Sequence, residues 1–196
     1  MLVGLIEEII DWRIAAYLDR KPEASSEDAP MLKAAEDGVP YVTDYPGAEL
    51  WREYARDEIA APFGLRFSTG SWNQGFVVQG QDVFLLVTLN KSGVQGQHRY
   101  EDHFLDAATF AWQSQGQTRQ DSKHGQIISG AAPGYRVHLF VRAGKLRPNG
   151  KASPFLYCGR VGFVDWEGEQ PISVTWALPE PLPAHWRRAF GVEAGS

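Results

Sequence analysis

The chain has 196 residues, of which 43% are hydrophobic and 12% aromatic, enough to bury one sizeable core with a small appended segment. Its formal net charge of −5 argues against a protein that coats nucleic acid through bulk charge. The single cysteine, Cys158, excludes an internal disulfide and a multi-cysteine zinc site, and its apolar neighbours predict a small buried thiol in a reducing compartment. The N-terminal stretch has acidic residues within its apolar part and fits neither a membrane span nor a signal peptide, so we expect a cytoplasmic protein.

Charge is distributed unevenly along the chain. Residues 1–70 carry 7 basic and 14 acidic groups, residues 71–153 carry 9 and 5, and residues 154–196 carry 3 and 5. A basic middle segment therefore lies within an acidic chain, and we expect it to supply a phosphate-facing surface. The residues predicted to contact phosphates are Lys91, Arg119, Lys123, His124, Arg142 and Lys145.

The first third of the chain has helical spacing. Apolar residues recur at three- and four-residue steps over residues 2–18, which predicts an amphipathic helix that packs on its own domain or joins another chain, for example in a homodimer. A solvated linker is predicted at 21–30, and a second helix at 48–61. The predicted organisation is an appendage over 1–47, a domain over 48–190 and a tail over 191–196.

The remainder of the chain has extended spacing. Runs rich in Val, Phe, Leu and Tyr are separated by turns that contain Gly, Asn or Pro, and a short helix closes the chain near Trp186. The predicted fold is α+β and mostly β, with a mostly antiparallel sheet curled into a small barrel and flanked by N-terminal helices. The predicted strands are 75–78, 83–89, 110–115, 135–142, 155–164 and 172–178.

Aromatic and hydrogen-bonding residues alternate most densely over residues 100–128, which predicts a ligand pocket there. Flat aromatic faces beside donors and acceptors suit a nucleobase. The alternative is that the aromatic residues simply alternate around strands and fill the core. The residues predicted to form the pocket are Tyr100, Asp102, Trp112, Ser114 and Gln115, with Trp72 and Asn73 as a second candidate wall.

Catalytic and metal-binding patterns are absent from the sequence. The five histidines have no spacing that brings two ligands onto one face, and no nucleophile elbow, phosphate-binding loop or dinucleotide fingerprint occurs. We therefore expect a non-catalytic chain without a metal or cofactor.

Seven stretches of the sequence, in this order, resemble a domain of formerly unknown function found in modification-dependent (type IV) restriction endonucleases. There it accompanies helicases fused to phospholipase-D-type nucleases, or HNH nucleases. The stretches are WREYARDEI (51–59), VTLNK (87–91), YEDHF (100–104), FAWQSQ (110–115), SKHGQ (122–126), LFVR (139–142) and PFLYCG (154–159).

The resemblance covers roughly residues 50–182 and implies a relative of the SRA and PUA-like barrels. Such a domain flips 5-methylcytosine or 5-hydroxymethylcytosine out of double-stranded DNA, and it works with a nuclease domain in the same or another chain. In that reading Tyr100 and Trp112 would stack on the base and Asp102 would accept from the cytosine amino group. Two alternatives remain open: a barrel that mediates protein association, and a PUA-like module that binds RNA.

Overall fold

The computed structural model of the chain describes residues 48–90 and 102–192. Contacts divide the chain into residues 1–44 and 45–196, and all described residues belong to the second unit. The predicted N-terminal helix, linker and dimer contact lie outside the described residues, as do Lys91, Tyr100 and residues 193–196.

Strands dominate the described residues. They are β1 (Glu53–Tyr54), β2 (Phe76–Gln79), β3 (Asp82–Asn90), β4 (His103–Phe104), β5 (Thr109–Gln113), β6 (Arg136–Gly144), β7 (Phe155–Glu167) and β8 (Ser173–Ala177). The helices are short: a 3-10 turn at Ala61–Phe63, α1 (Thr69–Trp72), α2 (Lys123–Ile128) and α3 (Ala184–Phe190). All six predicted strands and the short C-terminal helix are confirmed, so the mostly β class is correct.

The strands form one mixed sheet with the order β2-β3-β6-β7-β8-β5-β4, and β1 pairs with the start of β7. Neighbouring strands are antiparallel except β3 and β6, which run parallel with Asp82 opposite Arg136. The path of paired strands is open, with β2 at one end and β4 at the other, so backbone pairing among the described residues does not close a barrel.

Two hydrophobic cores lie on opposite faces of β3 and β6, because successive side chains of a strand alternate between faces. The inner core contains Leu85, Leu139, Trp112 and Trp176, and the sheet curls around it. The outer core lies on the other face, where the segment before β2 covers it; its members include Ile59, Trp72, Phe84, Phe140 and Phe155. Burial on both faces explains why these strands read as continuous apolar runs.

The long strand β7 belongs to both halves of the sheet. Its start pairs with β6, with Leu156 opposite Val141, and its end pairs with β8. Gly159 has a φ of 93°, and a Cβ there would collide with the side chains of Pro179 and Leu50. Only glycine fits both the backbone angle and the space at this position.

Cys158, next to Gly159, is fully buried in the inner core, which confirms the predicted buried thiol. Burial raises the pKa of this thiol.

The helix predicted at 48–61 is wrong. Residues 53 and 54 pair with β7 instead, with Tyr54 opposite Phe155, and Trp51 has a φ of 63°, outside the helical region. The side chains of Tyr54 and Ile59 are buried in the outer core. A short strand and turns, rather than a helix, bring these apolar residues into one core. Tertiary packing outweighs the local helical propensity here.

Candidate functional site

An aromatic crevice lies where β2 approaches β5. The rings of Phe76 and Trp112 stack with centroids 6.0 Å apart and planes inclined by 23°, and the His124 ring centroid lies 4.9 Å from that of Phe76. Gln115, Thr118 and Ile128 complete the lining. The free volume is about 10 Å³, room for one water at most, so the crevice is nearly closed.

The crevice loop, residues 114–122, leaves β5 beside this crevice and is fixed at its start by Ser114. The Ser114 backbone N–H donates to the Ile172 carbonyl at 2.9 Å, and the Ile172 N–H donates to Ser114 Oγ at 2.9 Å. The Ser114 hydroxyl also donates to the Gln115 carbonyl at 3.2 Å, and its residue is only 1% exposed. The hydroxyl that we predicted to bind a base edge therefore holds the loop.

Further along, the crevice loop is attached to the turn before β8. The Gln120 amide Nε2 donates to the Gly168 carbonyl at 2.9 Å, and its backbone N–H donates to Glu169 Oε2 at 3.0 Å. The Gln170 N–H donates to the Thr118 carbonyl at 3.2 Å. Backbone and side-chain contacts thus fix the middle of a loop that the sequence indicated only as polar.

Helix α2 follows the crevice loop and begins with a serine cap. Ser122 Oγ accepts from the Gly125 N–H at 3.2 Å and donates to the Arg119 carbonyl at 2.6 Å. A Cβ at Gly125 would collide with the carbonyl oxygens of Arg119 and Gln120. Glycine at position 125 therefore lets the loop backbone pack directly against the helix.

Three of the predicted phosphate contacts lie together beside the crevice. Arg119, Lys123 and His124 are exposed on the crevice loop and α2. Arg119 Nε lies 3.1 Å from Asp121 Oδ1 in a solvent-exposed pair, which contributes little and can exchange for another anion. The structure therefore brings these three residues into one exposed group.

Asp102 lies at the start of the same region and supports the β4–β5 edge. Its Oδ1 accepts from the Gln113 backbone N–H at 3.0 Å, and the residue is 9% exposed. Gln115 is exposed and lines the crevice. The roles predicted for both residues at a base edge stay predictions.

Trp72 and Trp112 do not share a pocket. Trp72 is fully buried in the outer core, with its ring centroid 4.9 Å from that of Phe84, whereas Trp112 belongs to the inner core on the other face. Asn73 next to it is exposed. The second wall predicted from Trp72 is therefore a core contact.

Arg142 and Lys145, at the end of β6, have different environments. Lys145 is exposed, but Arg142 is only 9% exposed. Arg142 Nε donates to Thr88 Oγ1 at 2.9 Å, and Nη1 donates to the Ser153 carbonyl at 3.1 Å. Arg142 is therefore largely buried, and the phosphate contact predicted for it stays a prediction.

A buried polar network lies at the starts of β3 and β6, the other end of these strands from Arg142. The sequence did not predict it. Asp82 accepts from Arg136 Nε and Nη2 at 2.8 and 3.1 Å, and His138 Nε2 lies 3.2 Å from Asp82 Oδ1. His138 Nδ1 lies 2.9 Å from the Tyr157 hydroxyl. Burial lowers the pKa of His138, and Asp82 opposes that shift. The parallel register of β3 and β6 brings Asp82 to Arg136 and His138, and the antiparallel pairing of β6 with β7 brings Tyr157 to His138.

A separate acidic groove of about 390 Å³ crosses the exposed face of β8, β5 and β4. Exposed Asp165 and Glu167 line it, together with Trp166 and Gln113. Carboxylates repel phosphates, so this groove is the less suitable of the two features for nucleic acid.

Within residues 48–90 and 102–192, no three His, Cys, Asp or Glu side chains are grouped as a metal site. In the same ranges, no helix is long and apolar enough to cross a membrane.

The strands, their order and the two cores define a mostly β domain built on an open mixed sheet, with a loop and short helix over one gap in the sheet. The chain belongs to the family described as domain of unknown function DUF3427, whose model matches residues 49–190. No curated protein matches the chain.

Proposed function

We propose that this domain is an SRA- or PUA-like reader that binds double-stranded DNA and holds a flipped 5-methylcytosine or 5-hydroxymethylcytosine at the aromatic crevice. The observation that carries the proposal is the placement of the stacked Phe76 and Trp112 rings beside a group of exposed cations on the crevice loop and α2. The order of the seven sequence stretches supports it independently.

The energetics of base flipping suit such a site. Extruding a base costs a few kcal/mol, and stacking on an aromatic side chain returns roughly 1–3 kcal/mol per base. The methyl group adds only about 1 kcal/mol of apolar contact, so fit alone gives modest discrimination. Hydrogen bonds to the Watson–Crick edge hold cytosine and 5-methylcytosine alike, so they add affinity for a flipped cytosine and no preference for its methyl group. Gln115, which lines the crevice, and Asp102 are the predicted partners of that edge.

Entry of a base requires the crevice to open. Its free volume is too small for a base, but His124 and Gln115 lie at the surface and their side chains are not held by the inner core. We propose that these two side chains move aside and that the base then takes the place of the His124 ring against Phe76 and contacts the accessible part of Trp112. The core rings themselves stay in place, because the inner core holds them.

The phosphate contacts come from Arg119 and Lys123 in this proposal. Both are exposed, and they belong to the basic middle segment of an acidic chain. The DNA would therefore meet one local basic surface, and affinity would fall as salt rises. Cleavage would be supplied by a nuclease domain in the same chain or a partner, and this domain would act only in recognition.

A binding experiment with matched duplexes tests the proposal. Three DNA duplexes of one sequence, with cytosine, 5-methylcytosine or 5-hydroxymethylcytosine at one position, are titrated with the chain, and an RNA duplex of the same sequence is the fourth ligand. We expect the tightest binding to one modified DNA. Equal affinity for all three DNA duplexes would contradict base recognition, and tighter binding to RNA would favour the RNA-binding alternative.

His124 provides the variant for the same experiment because it touches Phe76 without belonging to the core. His124→Ala should change the preference for modified DNA by altering the crevice, whereas Arg188→Ala on α3, another exposed position, should leave that preference unchanged. An unchanged preference in His124→Ala would place the base elsewhere.

The acidic groove supports the second candidate function, association with a protein. A groove lined by Asp165 and Glu167 suits a basic segment of a partner chain. Two results together would favour this alternative: the unaltered chain has no affinity for DNA, and Glu167→Gln weakens the capture of a co-purified partner.

A further inference from the structure

A second cleft, of about 500 Å³, opens on the opposite face of the sheet from the aromatic crevice. Residues of the 55–58 turn after β1 form one wall, and residues 152–154 before β7 form the other. Arg56 and Arg142 both line it, and both guanidinium groups lie over the ring of Phe155. Three separate segments of the chain therefore build one charged surface, which carries the carboxylates of Glu53, Asp57 and Glu58 as well as Arg56, Arg142 and Arg147.

Arg142 is held rigidly in this cleft. Its guanidinium carbon lies 4.3 Å from the Phe155 ring centroid, and two of its nitrogens donate to Thr88 and the Ser153 carbonyl. The third nitrogen, Nη2, has no hydrogen-bond partner within the part of the chain that the structure describes. A fixed guanidinium with one unused edge is preorganised to donate to an oxyanion.

Arg56 faces the same ring from the 55–58 turn. Its Nη1 donates to the Trp72 carbonyl at 2.5 Å, and its guanidinium carbon lies 5.1 Å from the Phe155 centroid. Burial lowers the pKa of Arg56, and it lowers that of Arg142 to about 10, with a further contribution from the Arg56 charge. The two cations thus destabilise each other in the protein as it stands.

None of the three carboxylates that line the cleft, those of Glu53, Asp57 and Glu58, forms an ion pair with Arg56 or Arg142. Among residues 48–90 and 102–192, no carboxylate oxygen lies within 4.0 Å of Arg56 or Arg142. Glu53 pairs with Arg147 at 3.6 Å, and Glu58 accepts from the Ala55 N–H at 2.8 Å. Partly buried cations without a counterion are costly, and an anion held by both would remove the repulsion.

We propose that the Arg56–Arg142 cleft is a binding site for a phosphate group. Arginine pairs bind phosphate through several charge-assisted hydrogen bonds, which a planar guanidinium donates in a fixed geometry. The phosphate belongs either to DNA, as a backbone diester or a 5′ terminal monoester, or to a free small molecule. The site lies apart from the aromatic crevice and does not depend on recognition of a modified base.

Inorganic phosphate is the first probe, measured by calorimetry and by thermal unfolding of the whole chain against chloride at equal ionic strength. We expect phosphate, but not chloride, to bind and to raise the melting temperature. Arg56→Met keeps the apolar stem, removes the charge, and should weaken phosphate at least about tenfold, the contribution of one charge-assisted hydrogen bond. Arg52→Met is the matched control, since Arg52 also lies over an aromatic ring, 5.3 Å from the Tyr54 centroid, but is exposed.

Arg56→Lys serves as a second variant if Arg56→Met does not fold, because it keeps the charge and loses the planar fork. It should fold and bind phosphate more weakly than the unaltered chain. Equal phosphate affinity in the unaltered chain and a folded Arg56 variant, or equal effects of phosphate and chloride, would overturn the proposal.

The source of the phosphate is identified by measuring how the unaltered chain and Arg56→Met bind unmodified DNA duplexes with 5′-phosphate or 5′-hydroxyl ends. A loss in Arg56→Met for both duplexes supports a backbone diester, and a loss only for the phosphorylated duplex supports a terminal monoester. No change with DNA, together with lost binding of inorganic phosphate, supports a small-molecule phosphate. These ligands carry no modified base, so failure here is distinct from failure of the reader function.

Discussion

Phe76 on β2 stacks on Trp112 of β5 although the two strands lie far apart in the order of the sheet. Side-chain packing, covered by the crevice loop and α2, therefore joins the sheet across this gap. Phe76 and Trp112 are only 8% and 7% exposed, so the rings that would support a flipped base also belong to the inner core.

Because Trp112 belongs to the inner core, we expect Trp112→Ala to lower the stability of the fold before any effect on DNA binding can be measured. Removing the ring leaves a cavity between Phe76 and Trp176, so the free energy of unfolding should fall by roughly 3–5 kcal/mol. Trp112→Phe keeps an aromatic ring and should lose less. Denaturant unfolding of both variants provides the measurement, and an alanine variant as stable as the unaltered chain would show that the ring is not packed.

Lys123→Ala should weaken binding to modified and unmodified DNA about equally. One lost phosphate contact reduces the slope of log affinity against log salt by roughly one. Titrations at several salt concentrations measure this slope, and Arg188→Ala on α3 is the control. If Lys123→Ala removed only the preference for modified DNA, Lys123 would belong to the base pocket.

Gly125→Ala should displace the crevice loop. The added methyl group collides with backbone carbonyls of Arg119 and Gln120, which cannot move without shifting the residues attached to them. We expect lower stability together with weaker DNA binding, measured by thermal unfolding and titration. Gly116→Ala in the same loop meets no atom within 4 Å and is the control; equal behaviour of the two variants would contradict this role of Gly125.

Stability should fall as the pH drops below about 6.5, the ordinary pKa of histidine. Burial lowers the pKa of His138 in the folded chain, so the unfolded chain takes up a proton that the folded chain does not. The free energy of unfolding then decreases by up to about 1.4 kcal/mol per pH unit until the folded pKa is reached.

His138→Gln should be less stable at pH 7, because Tyr157 and Asp82 lose a partner, but its stability should depend less on pH below about 6.5, the ordinary pKa of histidine. Arg136 and Arg160 are the cations that oppose protonation of His138. His185→Gln, at an exposed position, should keep the original pH dependence. If the stability of His138→Gln changed with pH as steeply as that of the unaltered chain, groups other than His138 would cause the pH dependence.

The purified chain should not cleave DNA with or without modified cytosine in the presence of Mg²⁺ or Mn²⁺. The sequence has no metal-ligand or nucleophile pattern, and the described residues hold no group of metal ligands. A supercoiled plasmid is the sensitive substrate, since one nick relaxes it. Metal-dependent nicking that co-elutes with the chain through successive columns would contradict the recognition-only role.

Apolar runs predicted the strands because β3, β6 and β7 are long and mostly buried, and their composition reflects that burial. The apolar runs did not predict which strands pair with each other. The parallel register of Asp82 with Arg136 joins residues 54 positions apart, and nothing local specifies it. The false helix at 48–61 arose because apolar spacing does not show that Tyr54 pairs with β7.

The site residues were predicted unevenly for a similar reason. The density of aromatic and polar residues pointed to Trp112 and Gln115, which are close in the chain and both line the crevice, whereas His124, predicted as a phosphate contact, lines it too. Phe76 was missed because its contact with Trp112 depends on the curl of the sheet. Arg142 was selected for its charge alone, whereas its burial beside Phe155 depends on which face of β6 it occupies.

The parallel pairing of β3 with β6 also has a consequence for how the chain acquires its structure. The β2–β3 hairpin is local and can form early, but β3 must wait for a partner that is synthesised some 54 residues later. Closing so long a segment carries an entropic penalty before any contact compensates it, so folding should be slow for a domain of this size. Until β6 arrives, the apolar β3 presents an unpaired edge, which makes the partly synthesised chain a candidate for chaperone protection.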